Sequence, residues 1–482
     1  MFQAKVESAR SRWAALAVLC AGALMIVLDQ TIVNVALPAI QDDLGFTQTG
    51  LSWVVNAYLI PFAGLLLLAG RLGDLAGRTH VFLTGIAVFT LASLLCGLAT
   101  TPELLIGARF LQGAGGAIVS AVILGMITTT FTVPRERATA FGAFSFVQAA
   151  GGTMGSFAGG VLTQIADWSW IFLINIPIGI AAVVAARRIL PRDKGIGISA
   201  SADLPGAALV TGSLMLAIYT IVTVEQYGWL SAHTLGLGLV AVVGVTAFLA
   251  REATAGTPLL PLSVFRSRNI SGANLTQALL IAGMFGFQFL VVLYLRQVLG
   301  LDAMTTGLAM LPPAVAIGAV SIGLSARANT RFGERRVLLG GLTMIAIGFV
   351  LLAQVSVDGR YLTDVLPAMV VMGVGFGLSM PALIGLGMAD AAADTAGAVS
   401  GLLNTTQQIG GALGLAVLAV LASTRTEHLI DGGVERAQAL TDGFALSFTV
   451  GAGLVLAALL IAAVVITGAR RRAGVETPVP AL

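Results

Sequence analysis

The stretch Gly70–Arg78, GRLGDLAGR, decides how this chain is to be read. It lies between two apolar runs, near 49–69 and 80–100, each about 20 residues long and so able to cross a bilayer. Three glycines, one aspartate and two arginines in nine positions cannot face lipid. The stretch is therefore expected to be a short, solvent-side connection between two spanning helices. Gly70 and Gly77 permit close backbone approach and unusual φ. Asp74 can cap a helix N-terminus or pair with Arg71 or Arg78.

Composition extends this reading to the whole chain. The 482 residues are 57% hydrophobic and 10% charged, with a mean hydropathy of +0.95. A soluble globular chain carries about 25% charge, so this is a polytopic, all-α membrane protein. Cys20 and Cys96 both lie within apolar runs and read as buried small residues, not as a disulfide or metal pair. Neither lysine, Lys5 nor Lys194, follows a glycine, which excludes a Gly-Lys phosphate loop. His80, His233 and His428 have no metal spacing. No metal, cofactor or nucleic-acid partner is expected. No His, Cys, Ser or paired-carboxylate constellation recurs at membrane depth, so an enzyme is not expected either.

Apolar runs fall near 13–37, 49–69, 80–100, 103–128, 138–163, 168–189, 204–224, 232–250, 270–295, 304–326, 337–356, 361–383, 398–423 and 443–468. Fourteen runs place both termini on one side. The first contains Asp29 and is too long for the apolar core of a cleaved leader, so it counts as a span. With the N-terminus inside, 21 of the 26 lysines and arginines fall on the inner side and four on the outer, while Arg109 lies within a helix. Positive residues mark the cytoplasmic side, so both termini are expected in the cytoplasm of a cell whose cytoplasmic membrane holds the protein. The segment Ala326–Arg336, ARANTRFGERR, follows the tenth run as GRLGDLAGR follows the second; it keeps Gly333 and the arginines but lacks the aspartate. This internal echo predicts two parallel six-helix halves. Residues 1–190 form the first, 191–260 hold a linker and two inserted spans, and 261–482 form the second with a cytoplasmic tail.

Two charges stand well inside apolar runs. Asp29 lies nine residues, about 13 Å, before Pro38, and Arg109 lies about 10 Å beyond Pro102. Intramembrane charges face the bundle interior and pair with one another, so Asp29 and Arg109 are expected to meet, directly or through water. Burial and a neighbouring guanidinium push a carboxyl group's proton affinity in opposite directions. That balance is expected to let the pair take part in proton coupling, against a purely structural role. Gly151, Gly155 and Gly159 recur every four residues in GGTMGSFAGG, making one small helix face suited to close packing.

Several of these stretches resemble one family. Gly70, Leu72, Asp74, Gly77 and Arg78 resemble G-x-L-x-D-x-x-G-R, the signature between helices 2 and 3 of the major facilitator superfamily, with Thr79 and His80 where the family often has further basic residues. Leu28, Asp29, Thr31, Val33, Asn34, Ala36 and Pro38 resemble the helix-1 signature of its 14-helix drug:proton antiporter branch. Arg109, Gln112, Gly113 and Gly115 resemble the helix-4 motif R-x-x-Q-G-x-G. Gly151 to Gly160 resembles the exporter motif G-x-x-x-G-P-x-x-G-G, with Ser156 in the place of its proline and Gly159 and Gly160 closing it. Trp168–Gly179 and Asn404–Gly414 are similar to further runs of that branch. The resemblance implies alternating access between the halves. It also implies a conformational latch at Gly70, Asp74, Gly77 and Arg78, and proton coupling at Asp29 and Arg109.

The substrate cavity is expected near the midplane between the halves. Polar or soft residues within apolar runs are the candidates for it: Asn34, Gln112, Gln148, Gln277, Gln288, Asn404 and Gln408, with Phe285 and Met380. Such a pocket is largely apolar and suits bulky amphipathic small molecules better than sugars. The leading expectation is a monomeric, proton-driven exporter of drugs or antibiotics with no cofactor. Export of a lipid or an endogenous metabolite is the alternative, and a membrane sensor or scaffold a weaker one, because the longest non-apolar segments run to only about 15–20 residues.

Overall fold

The computed structural model describes residues 9–191, 193, 195, 197, 203–256, 258–392 and 394–467, and all regular structure among them is helical. Fourteen long helical segments follow in chain order: α1 (Ala9–Leu44), α2 (Trp53–Ala76), α3 (Arg78–Gly97), α4 (Pro102–Thr130), α5 (Pro134–Ile165), α6 (Trp170–Ile189), α7 (Leu204–Tyr227), α8 (Ala232–Thr254), α9 (Arg268–Gln297), α10 (Met304–Phe332), α11 (Glu334–Leu352), α12 (Tyr361–Ala389), α13 (Ala396–Asp431) and α14 (Arg436–Val465). Thirteen of the described helices are long and apolar enough to cross a membrane; α5, 32 residues long, is not among the thirteen.

The helix ends follow from local chemistry. Thr101, Asp203, Ser231 and Ser267 accept hydrogen bonds from the first turns of α4, α7, α8 and α9. α2 and α10 end in the same way. Gly77 (φ +95°) and Gly333 (φ +85°) donate their N–H groups to the carbonyls of Gly73 and Asn329, four residues back. Only glycine adopts that φ without strain, so the two loops expected to be equivalent share one backbone device. α10 is interrupted by a π-helical segment, Val320–Ser325, where Ser321 Oγ donates to the carbonyl of Gly377 on α12.

Two expectations need correction. The first helix reaches beyond its apolar run near 13–37: α1 passes Pro38 and ends at Leu44. A proline is tolerated in a membrane helix because neighbouring groups satisfy the freed carbonyl. GRLGDLAGR is not an exposed turn either. Residues 70–76 are the last turns of α2, α3 starts at Arg78, and Arg71, Asp74 and Arg78 are buried. Helix–helix packing against α13 covers them.

In the first six helices, α1 packs on α5 and α6, and α4 on α2 and α3. In the last six, α11 packs on α12, and α9 on α13 and α14. The two groups meet where α13 packs on α2 and α4, and where α5 packs on α10 and α12. α7 lies against α2 and α13 and carries α8 on its other side. α8 presents Leu235, Leu239, Val242 and Val243 outward, as a lipid-facing helix does.

The glycine stripe of α5 faces α1. Gly151 lies against Leu24 and Val27, and Gly155 against Leu28 and Thr31. Gly159 is buried, whereas Ser156 and Gly160 lie outside the residues whose burial is described. A methyl group at Gly155 would overlap Thr31 Oγ1 and approach the Leu28 carbonyl at 2.9 Å. Gly155→Ala is therefore predicted to destabilise the protein by about 1–3 kcal/mol, read as a lower melting temperature in detergent. An unchanged melting temperature would refute the close α1–α5 contact.

Candidate functional site

The charge expected on α1 meets the charge expected on α4. Arg109 Nη1 donates to Asp29 Oδ2 at 2.6 Å, and each residue is 1% exposed. Further hydrogen bonds surround the pair. Gln112, one turn beyond Arg109, accepts from Arg109 Nη1 at 2.7 Å and donates to Asp29 Oδ1 at 2.7 Å and to Ser93 Oγ at 2.8 Å. Asn175 Nδ2 of α6 also donates to Asp29 Oδ1, at 3.2 Å. Arg109 Nε donates to the Val54 carbonyl of α2 at 2.9 Å, and its guanidinium lies 4.4 Å from the Tyr58 ring centroid and 5.6 Å from that of Phe172. A buried ion pair is stable only when such bonds replace the lost water.

The spacing within α4 explains the geometry. Residues three apart share a helix face, so Arg109 and Gln112 both reach Asp29. Gly113 and Gly115 then let neighbouring helices close in. Gly113 lies against the Tyr58 backbone of α2, and a methyl group at Gly115 would come within 2.6 Å of Phe89 N on α3. The motif thus delivers one arginine, one amide and two close approaches.

The second cluster joins the two groups of helices. Asp74 Oδ1 accepts from Arg78 Nη2 at 2.7 Å and from Gly397 N at 2.8 Å, and Oδ2 accepts from Ala398 N at 2.9 Å. Gly397 and Ala398 lie in the first turn of α13, whose own N-cap residue, Thr395, makes no side-chain cap. Asp74 therefore caps α13 from another helix, where unsatisfied N–H groups and the helix dipole favour an anion. Gly70 makes this possible, since its Cα packs directly on the Gly397 carbonyl and Gly401. Gly77 turns the chain beside Asp193, whose carboxylate accepts from Arg78 N at 2.7 Å and Thr79 N at 3.1 Å and caps α3. Arg71 Nη1 reaches the Asp394 carbonyl at 3.4 Å.

The expected cavity residues divide. Gln112 belongs to the ion-pair network and is 0% exposed, and Met380 is packed in the hydrophobic core. Gln277 is buried between α9 and α13, donating to Gln407 Oε1 at 3.4 Å. Asn404 links α13 to α4 through the Ser120 carbonyl at 3.3 Å. Phe285 and Gln288 are exposed on α9, while Gln148 on α5 and Gln408 on α13 are half-buried. The side chain of Asn34 lies outside those described.

Sequence reasoning missed Asn175, Ser93 and Tyr58 in the ion-pair network, and Asp193 beside the Asp74 cluster. Asn175 was the most visible of these, an amide in the apolar run WSWIFLINIPIG.

A family model described as Major Facilitator Superfamily matches residues 19–415. The chain belongs to the major facilitator superfamily. It is a multi-pass membrane transporter, not an enzyme. It is 38% identical to the puromycin resistance protein pur8 of Streptomyces alboniger over 472 residues, 97% of this chain and 93% of the relative. It is 37% identical to the cephamycin export protein CmcT of Amycolatopsis lactamdurans over 86% of this chain and 85% of the relative. The tetracenomycin C resistance and export protein of Streptomyces glaucescens is 33% identical over 86% of this chain and 76% of the relative. Among solved structures, the human organic anion transporter MFSD10 superimposes with a TM-score of 0.68 at 15% identity, over 94% of this chain and 99% of that one. The proton:xylose symporter XylE superimposes with a TM-score of 0.64 at 11% identity, over 94% and 95%. At these identities the structural likeness establishes the major facilitator fold alone.

Proposed function

We propose that this transporter exports drugs or antibiotics from the cytoplasm in exchange for protons, by alternating access between its two groups of six helices. The observation that carries the reading is the buried Asp29–Arg109 pair with its amide partners. It is supported by the export and resistance proteins among the relatives. A proton on Asp29 cancels the attraction to Arg109. Arg109 keeps the Val54 carbonyl, Gln112 and two aromatic faces, so it stays on α4. Asp29 and α1 are the parts released. Proton binding thereby becomes a change in how α1 is held against α3, α4 and α6, which is what coupling to an alternating-access cycle needs.

The joined ends of α2, α4 and α13 lie at the Asp74 end, which carries the excess of arginines. With that end in the cytoplasm, the conformation described is closed inward, and both termini are cytoplasmic. The protein sits in the cytoplasmic membrane, works as a monomer and draws on the proton gradient with no cofactor. Its substrates are amphipathic, largely apolar molecules, met by Phe285, Gln288, Gln148 and Gln408 and by the polar seam of Gln277 and Asn404.

The test is efflux of ethidium from energised cells and from proteoliposomes with an imposed pH gradient. The expected result is efflux that an uncoupler abolishes. Efflux indifferent to the uncoupler would overturn proton coupling. Absence of efflux for several chemically distinct dyes, at normal expression, would overturn drug export and favour a lipid or dedicated metabolite.

A further inference from the structure

Two arginines from different helices meet at the end of α14 with no carboxylate between them. Arg268 opens α9, and Arg335 stands in the first turn of α11. Arg268 Nη2 donates to the Val464 carbonyl at 3.0 Å, and Arg335 Nη2 donates to the Ala463 carbonyl at 2.6 Å. Both acceptors belong to the last turn of α14, where backbone carbonyls have no partner within the helix. This cap uses one N–H of each guanidinium, and Arg335 Nε finds no acceptor among the described residues. Neither arginine is ion-paired among the described residues. The neighbouring acids are engaged elsewhere. Glu334 turns its carboxylate to Gly385 of α12, with Arg137 of α5 as the cation that acts on it. Asp390 accepts from Ser267 Oγ at 2.6 Å and from Asn269 Nδ2 at 3.1 Å.

The surface that leads up to these arginines is apolar. Leu456, Leu460 and Val464 follow one another at four-residue intervals and are 45%, 65% and 70% exposed. Residues so spaced share a helix face, so they form one outward stripe on α14 that ends beside the Val464 carbonyl. In a bilayer such a stripe is covered by acyl chains. Arg268 is exposed and Arg335 half-buried, so the two charges stand at the head of the stripe within reach of lipid. A guanidinium presents its N–H groups in a planar fork that matches phosphate oxygens. A phospholipid with net negative charge supplies both things this surface lacks, a counter-anion for the arginines and a cover for the stripe. Free phosphate supplies only the first. A zwitterionic lipid brings its own cation to the same place.

We propose that Arg268 and Arg335 hold the phosphate of an anionic phospholipid whose acyl chains lie along the α14 stripe. The lipid belongs to the leaflet on the Asp74 side, where α9 and α11 start and α14 ends. Bound there, it ties together three of the last six helices at one point. Selectivity among headgroups follows from charge. Phosphatidylglycerol keeps its negative charge uncompensated, whereas the ammonium of phosphatidylcholine offsets its phosphate. The site lies on the outside of the helix bundle, so it does not depend on which substrate is exported or on whether protons drive export.

The test is native mass spectrometry of the purified full-length protein, titrated in detergent with phosphatidylglycerol or phosphatidylcholine. Wild type is expected to retain phosphatidylglycerol preferentially. Arg268→Gln and Arg335→Gln are each expected to weaken that binding roughly fivefold and to leave phosphatidylcholine binding unchanged. Glutamine can still donate to the α14 carbonyls, and Arg335→Lys, which keeps the charge, is expected to recover most of the binding; a purely structural cap would not give that order. Arg187→Gln/Arg188→Gln removes two exposed charges at the end of α6, on the same side of the membrane, and is expected to bind phosphatidylglycerol as wild type does. Equal binding of the two lipids by wild type, or undiminished phosphatidylglycerol binding by Arg268→Gln/Arg335→Gln, would overturn the site. An equal loss in Arg187→Gln/Arg188→Gln would reduce it to general surface charge and overturn it as well. Displacement of phosphatidylglycerol by inorganic phosphate would overturn the assignment to a lipid.

Discussion

Asp29→Asn is expected to reduce gradient-driven efflux to the background of cells lacking the protein while leaving the transporter folded, whereas Arg109→Ala is expected to lose folded protein as well. The asymmetry comes from what each change leaves behind. Asparagine at position 29 keeps an acceptor for Gln112 and Asn175, and Arg109 retains the Val54 carbonyl, Gln112 and the faces of Tyr58 and Phe172. The cost is that of the lost charged hydrogen bond, about 1.5–3 kcal/mol, because the amide nitrogen that takes the place of Oδ2 cannot accept from Arg109. Removing Arg109 leaves a buried carboxylate without its cation, at about 3–5 kcal/mol. The double variant Asp29→Asn/Arg109→Ala is accordingly predicted to be more stable than Arg109→Ala alone, because it removes the stranded charge. Thermal melting of the four purified proteins, with efflux measured in parallel, checks all of this. Destabilisation of the double variant by the sum of the two single changes would show that the pair is not electrostatically coupled. Gradient-driven efflux persisting in Asp29→Asn would remove Asp29 from the coupling step and leave the fold assignment untouched.

Asp74→Ala is predicted to release the ends of α2 and α13. The aspartate is the cap of α13 and the partner of Arg78 at once, through bonds of 2.7, 2.8 and 2.9 Å in a buried site. Charge-assisted hydrogen bonds contribute about 1.5–3 kcal/mol each. Losing one net contribution of that size shifts the closed-to-open ratio on the order of tenfold to 100-fold. Asp74→Asn keeps one acceptor oxygen without the charge, so an intermediate shift is expected. Arg78→Ala is expected to do less, since Asp74 retains both backbone N–H groups of α13. Spin labels at Leu72 and Ala392, both exposed, read the population directly. An unchanged closed fraction in Asp74→Ala would mean that the packing of Gly70 on Gly397 and Gly401, and not the carboxylate, holds the two ends together.

Much of the architecture was legible because the bilayer allows so few solutions. Runs of about 20 apolar residues must become helices, since a backbone in lipid has to satisfy its own hydrogen bonds. The meeting of Asp29 and Arg109 was legible for the same reason, as two charges at similar depth have no better partner than each other. Gly77 and Gly333 were legible as equivalents because a positive φ selects glycine locally.

Other features depended on which surfaces came together. α1 extends past its apolar run near 13–37, through Pro38 to Leu44, because membrane helices carry prolines when their neighbours compensate. Gln112 and Met380 read as cavity residues by type, yet one closes the ion-pair network and the other fills the core; side-chain type does not reveal which face of a helix meets a neighbour. Asn175 joins Asp29 from 146 residues away, and Asp74 caps a helix 323 residues distant. The sequence by itself determined the helices, their membrane placement and the presence of two charges that had to be paired. Only the tertiary structure decided the hydrogen-bond partners of Asp29 and the helix capped by Asp74. Hydrogen bonding and apolar periodicity act along a single helix, whereas partner choice is set by the approach of helices remote in sequence.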